Sequence, residues 1–280
     1  MSVVTFWNSG KEQTGKTLSI AAISTYMAIE HNYRILVVST GKGDTTLDRC
    51  FWEEKKVRKN LGLFGPNTHV AMEEGISGLI KIMRSNKLEP ENITNYTKIV
   101  FKDRLEILQT YKGSQEDYRD FSRMYPDIIN LANNYYDLVL VDLDAELDET
   151  TSKQILDASN IVVVNLSQRL TSINNFMKIR EEQPMFSTKK ALLLIGRYDK
   201  FSKYTIKNIS RYMNERNKVS TIPYNTLFFE AAEEAKVPDL FLRLRKSVDE
   251  DDRNGFFIAE VGRTAENIIY RLQDLQMKMG

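Results

Sequence analysis

Cysteine is nearly absent from this chain: Cys50 is its one thiol in 280 residues, beside two tryptophans, two histidines and six prolines. A lone cysteine excludes an intramolecular disulfide, and with no His or Cys near it in the chain it builds neither a zinc cluster nor a redox pair. Cys50 reads as a small core or boundary residue in a reducing cytoplasm. Charge of one sign is also missing, since 39 Lys and Arg face 38 Asp and Glu for a formal net charge of +1. No global field therefore draws the chain to nucleic acid or lipid, although a local basic patch stays open. No run approaches the ~20 apolar residues that span a bilayer. The N-terminus lacks a basic segment leading into an apolar one, so a cytoplasmic location is expected. Repeats, low-complexity stretches and Pro/Gly/Ser linkers are lacking too. Residues 1–280 are expected to form a single domain with a substantial core.

What is present is concentrated at the start. The β-prone run Val3, Val4, Thr5, Phe6 and Trp7 leads into a polar turn, and a helix-period apolar run follows with Leu18, Ile20, Ala21, Ala22 and Ile23. Between them Gly10, Gly15, Lys16 and Thr17 fit the pattern G-x-x-x-x-G-K-[ST]. Strand, glycine-bearing loop and helix start form the context a phosphate-binding loop requires. The glycines let successive N–H groups point into one concavity. Lys16 would set a point charge on the β- and γ-phosphates and Thr17 would offer its hydroxyl to Mg²⁺. Glu12, Gln13, Thr14 and Leu18 complete the expected binding stretch.

Further along, RILVVS (34–39) reads as a strand buried on both faces, followed by the turn STGKGDTT and a polar, irregular stretch to about His69. A short helix is expected over 73–84, and a strand over 104–109. A helical pattern with Pro126 at a start or break falls within 114–135. Then strands at 138–142, 161–164, 191–195 and 219–222 alternate with helices near 150–158, 171–181, 203–215 and 226–235. An amphipathic helix over 262–279 closes the chain. Such alternation predicts an α/β fold: a mainly parallel sheet with helices on both faces. Ligands in such sheets bind beyond the carboxyl ends of the strands, where the 10–17 loop and Asp142 would meet. Asp142, ending the strand YYDLVLVD, has the position of an acid that holds Mg²⁺ opposite Thr17. Asp144 stands either to assist the metal and orient water or as a plain surface acid.

A family resemblance enters with Lys11. SGKEQTGKT, residues 9–17, resembles the deviant Walker A motif K-G-G-x-G-K-[ST] of the ParA/MinD group of P-loop ATPases, with Lys11 on their signature lysine. RILVVS, YYDLVLVD, NIVVVNLSQRLTSINN, ALLLIGRYDK and IPYNTLFFEAAEEAKVP resemble that family's later segments in the same order. The resemblance implies ATP and Mg²⁺ as cofactors. It also implies Lys11 reaching across a homodimer to the partner's phosphates, and Arg197 and Pro223 beside the base. Departures stand beside the matches. The family's middle glycines are Glu12 and Gln13 here. The acids that usually end its second strand are replaced by Ser39, Thr40 and Gly41, leaving Asp44, a few residues on, as the remaining catalytic candidate with Lys11 and Asp142. Gly196 stands where the family's base-reading asparagine is usual.

The family's members are dimer switches read or stimulated by a protein partner. The implied use here is partitioning of plasmid or chromosomal DNA, or placement of a pilus, secretion or conjugation apparatus. A membrane-positioning ATPase and a nucleotide-binding scaffold with little hydrolysis are the alternatives. For nonspecific DNA binding the sequence offers Arg243, Arg245 and Lys246, with Arg211, Arg216 and Lys218 upstream. For membrane association it offers the shared face of Ile268, Ile269, Leu272 and Leu275, which reads more simply as a packed helix.

Overall fold

The computed structural model describes residues 1–10, 12–53, 75–85, 89–188, 190–246 and 249–277. Lys11, Phe64, His69 and the first residues of the helix expected from 73 lie outside the described residues.

The chain opens as expected. Strand β1 (Ser2–Trp7) gives way to helix α1 (Lys16–Glu30) and strand β2 (Ile35–Ser39). Two short helices follow, α2 (Thr46–Arg49) and α3 (Ile76–Arg84). Strands β3 (Lys98–Phe101) and β4 (Leu105–Leu108) form an antiparallel pair. Helices α4 (Gln115–Phe121) and α5 (Tyr125–Asn133) lead into β5 (Leu138–Asp142), and Pro126 sits in the first turn of α5, where its missing N–H costs nothing. Regular alternation then resumes with α6 (Glu149–Ala158), β6 (Ile161–Leu166), α7 (Leu170–Glu182), β7 (Ala191–Tyr198), α8 (Ile206–Tyr212) and β8 (Ser220–Pro223). Helices α9 (Thr226–Glu233), α10 (Val237–Leu244) and α11 (Arg253–Met277) complete the fold.

The eight strands make one sheet in the order β3-β4-β2-β5-β1-β6-β7-β8. All neighbours are parallel except β3 on β4. Buried β-branched and leucine side chains cover both faces, as parallel sheets demand. One core joins the sheet to α1, α9, α10 and α11 through residues such as Ile20, Ile23, Phe241, Phe257 and Ile268. The other packs α3 to α8 on the opposite face through Leu79, Tyr118, Ile128, Ile155, Phe176 and Ile209. Cys50 is fully buried in the first core.

Several expectations shift. The 203–215 helix is confined to Ile206–Tyr212, because Thr205 caps its start by accepting from the Asn208 N–H and Asn214 turns the chain with φ 49. Helix α10 lies where no element is expected, with Arg243 exposed on it and Arg245 and Lys246 just beyond its end. The final helix starts at Arg253, not at Gly262. Gly262 is small because α11 crosses α1 there: a Cβ would stand 2.6 Å from the Tyr26 hydroxyl oxygen. Ile268 and Leu272 are buried, with Ile269 and Leu275 packed beside them. The apolar face of the last helix is thus spent on the core. Among the described residues, no helix is long and apolar enough to cross a membrane.

Candidate functional site

The site begins where β1, flanked by β5 and β6, delivers the chain to the loop before α1. Asn8 shapes that loop from beneath, its Nδ2 donating to the carbonyls of Gly10 (2.8 Å) and Glu12 (3.2 Å). Gly10 and Gly15 take φ of 79° and 76°, the left-handed region that L side chains rarely adopt. Gly15 is the N-cap of α1, and neither a side-chain cap nor a first-turn acid satisfies the helix's free N–H groups. An uncapped helix N-terminus opening on a cavity favours an anion. The cavity measures about 550 Å³ and is lined by Gly10, Glu12 to Leu18, Gly41, Asp44, Asp142, Asp144 and Arg197. Thr14, which is 2% exposed, leaves its Oγ1 without a partner, and so does a buried oxygen of Glu12. Unsatisfied polar atoms in such a loop are what a polar ligand would engage.

Asp142 closes the far wall. Its Oδ1 lies 3.0 Å from Lys16 Nζ and its Oδ2 accepts from Thr17 Oγ1 at 2.8 Å. Lys16 also donates to the Leu143 carbonyl. Both charges of the pair are largely withdrawn from water, with side-chain exposures of 12% and 8%. The arrangement is a neutral closure of the cradle, which a polyphosphate would open by offering Lys16 more negative charge than one carboxylate does. Asp44 stands at the outer rim, where Oδ1 accepts from Thr46 N (2.9 Å) and Thr46 Oγ1 (2.6 Å). It lines the cavity but is committed to the turn before α2.

Arg197, at the end of β7, folds over the loop with φ 51°, and its Cγ lies 3.1 Å from the place a Gly15 Cβ would take. The preceding Gly196 has no alternative: a Cβ there would fall 2.1 Å from the Thr14 carbonyl oxygen. An asparagine at 196 has no room, so whatever reads a base here is not that side chain. Beside Arg197, Pro223 lines a second cavity of about 340 Å³ with Leu18, Ile222, Tyr224, Phe228 and Phe229. Asn225 at its edge caps α9 by accepting from Phe228 N and also donates to Asn254 Oδ1, each at 2.9 Å. Arg197 and Pro223, expected beside a base from the resemblance, both line this cavity, and the aromatic wall of Tyr224, Phe228 and Phe229 was not expected. The signal for it was the Pro-x-Asn entry to a helix, which sets aromatic residues of the first turn against the loop.

The fold is that of the P-loop class of α/β proteins, with a glycine-bearing loop between the first strand and first helix. More narrowly, the fold is that of the ParA/MinD-type ATPases. The chain aligns over 95% of its length with 99% of a ParA family ATPase from Chlorobium tepidum TLS, at a TM-score of 0.70 and 16% identity. It aligns over 95% with 95% of the septum site-determining protein MinD complexed with Mg-ADP from Pyrococcus horikoshii OT3, at 0.63 and 16%. Over its whole length it aligns with 99% of a plasmid partition protein from Borrelia burgdorferi B31 bound to AMPPNP, at 0.57 and 16%. No protein-family model and no curated sequence matches the chain.

Proposed function

We propose that this chain binds ATP with Mg²⁺ in the 10–18 loop. Bound triphosphate then draws it into a homodimer that positions or segregates a cargo. One observation carries the reading: two left-handed glycines, Lys16, Thr17 and Asp142 converge on a cavity at the carboxyl ends of the central strands. The nucleotides named with the MinD and plasmid partition structures support ATP and Mg²⁺ as the class of ligand.

The residues present fit a magnesium ion. Mg²⁺ takes one or two carboxylates with phosphate oxygens and keeps several waters, so a hydroxyl and a carboxylate facing a phosphate cradle suffice. Thr17 and Asp142 would hold it, and when bound it would neutralise charge on the phosphates. Lys16 would leave Asp142 for the phosphates, and the loop N–H groups would orient them. Leu18 and the wall around Pro223 would take the base, with Arg197 closing over it. Lys11 would reach the partner's phosphates, so loss of the triphosphate would loosen the dimer. With Asp44 held in a turn, hydrolysis is slow, and the bound state is long-lived.

Fluorescent-nucleotide titration tests the reading. Lys16→Ala should weaken ATP binding by ~100-fold, the worth of a charge-assisted contact set. Lys11→Ala should keep binding and lose the dimer. Equal loss of binding in both variants would remove Lys11 from its assigned role.

A DNA cargo is favoured by one further feature. From 200 to 218 the chain places Lys200, Lys203, Lys207, Arg211, Arg216 and Lys218 at exposed positions. Glu215, the one acid in that segment, is paired with Arg180 at 3.0 Å. Exposed Phe201 and Tyr212 are interleaved with the cations. The run at 243–246 is a weaker candidate, since Arg245 is paired with Glu30 at 2.7 Å. Gel retardation at two salt concentrations checks it. Lys207→Glu with Arg211→Glu should abolish retardation and leave ATP affinity unchanged, and retained DNA binding would exclude this face.

A further inference from the structure

We propose that Asp144 supplies a carboxylate on the metal side of this cavity, in space that Gly41 leaves for it. The inference rests on the nucleotide reading above and assigns a residue within it. The oxygens of Asp142 face Lys16 and Thr17, and a bound polyphosphate would draw Lys16 away and leave Asp142 and Thr17 to hold the ion directly. Asp44 is turned into the cap of Thr46. Asp144, from the loop after β5, lines the same cavity. Its Oδ1 accepts from the Glu146 N–H at 2.7 Å, while its Oδ2 stands 2.9 Å from where a Cβ on Gly41 would be. The backbone of Gly41 does not need glycine, since its φ lies outside the left-handed region. What needs glycine is the carboxylate, because any side chain at 41 would push Asp144 aside.

The two loops that make this contact are bound to one another. Thr40 N donates to the Asp142 carbonyl at 3.0 Å, and Thr40 Oγ1 accepts from Asp144 N at 2.8 Å. Behind them the Tyr118 hydroxyl donates to the Thr40 carbonyl at 2.5 Å. Burial first, and then the charge of Asp144, push the Tyr118 phenol up, so it stays a donor at any ordinary pH. Asp144 is thus held in place by backbone bonds rather than left on a free tip. A half-buried carboxylate two residues beyond Asp142, whose second oxygen has no hydrogen-bond partner among the described residues, is suited to accept hydrogen bonds from water on a bound Mg²⁺. Asp144 is therefore a positioning residue for the ion, acting through its waters.

Manganese binding to the protein–nucleotide complex, read by electron paramagnetic resonance, tests this without any turnover. Asp144→Asn should bind fluorescent ATP in EDTA within twofold of the parent, and should lose ~10-fold in Mn²⁺ affinity, the usual cost of removing a partner of this kind. Gly41→Asp combined with Asp144→Ala moves the acid to the other loop, its Cβ starting where the Asp144 oxygen now ends. It should recover most of the Mn²⁺ affinity, whereas Asp144→Ala alone should not. Unchanged Mn²⁺ affinity in Asp144→Asn overturns the proposal alone. A parent chain that binds no ATP either with or without metal overturns the nucleotide reading, and this proposal with it.

Discussion

At the scale of single residues, the placement of the loop was legible because the glycines and the flanking strand and helix patterns mark it. Gly10 and Gly15 take left-handed φ in the loop before α1, and Asp142 ends the strand paired with β1 beside it. The contact of Asp144 with Gly41 was not legible, since it joins loops far apart in sequence and turns on a space that no motif encodes. Gly196 was visible only as a departure, yet it is the tightest point of the site. Gly196→Ala would drive a Cβ into the Thr14 carbonyl oxygen, 2.1 Å away, so either strand or loop must shift. The expected cost is about 1–3 kcal/mol in urea unfolding, as for other overpacked positions, together with weaker nucleotide binding. Unchanged stability and affinity would mean the loop yields freely. Cys50 gives a separate check on the core. Burial pushes its thiol up to about 12, so Ellman's reagent should leave the native chain untouched and react fully once urea unfolds it.

Among the elements, those with a clear period were read correctly and those set by neighbours were not. Parallel strands announce themselves as β-branched runs, and β1, β2, β5 and β6 stood out in this way. Helix α10 was hidden because Arg243 and Arg245 drew attention as charge, while Leu240, Phe241 and Leu244 buried its other face. The start of α11 was misplaced because Gly262 resembles a boundary, when it marks a helix crossing. Helix caps give a test at this scale. Asp148 caps α6 by accepting from the Thr151 N–H at 2.9 Å. Burial would raise its carboxyl, but the hydrogen bonds from Thr151 outweigh that and hold it below 3.8. A lowered value means the charged form is favoured in the folded state. Its stabilisation is therefore present above pH ~4 and lost as the pH falls through the folded value. Asp148→Ala should cost about 1 kcal/mol at neutral pH in urea unfolding, with the difference from the parent shrinking toward pH 2. A difference that stays constant with pH would show the cap does not act through its charge.

For the whole molecule, near-neutral charge conceals a strongly uneven surface. The exposed cations start at Lys200, just beyond the carboxyl end of β7, and run back along α8 to Lys218 at the amino end of the parallel strand β8. The switch itself is the central claim, and light scattering reads it directly. The chain alone and with ADP should scatter as the 32.4 kDa monomer, and with ATP and Mg²⁺ the mass should double. A mass unchanged by ATP and Mg²⁺, at nucleotide concentrations that fill the site, would contradict it.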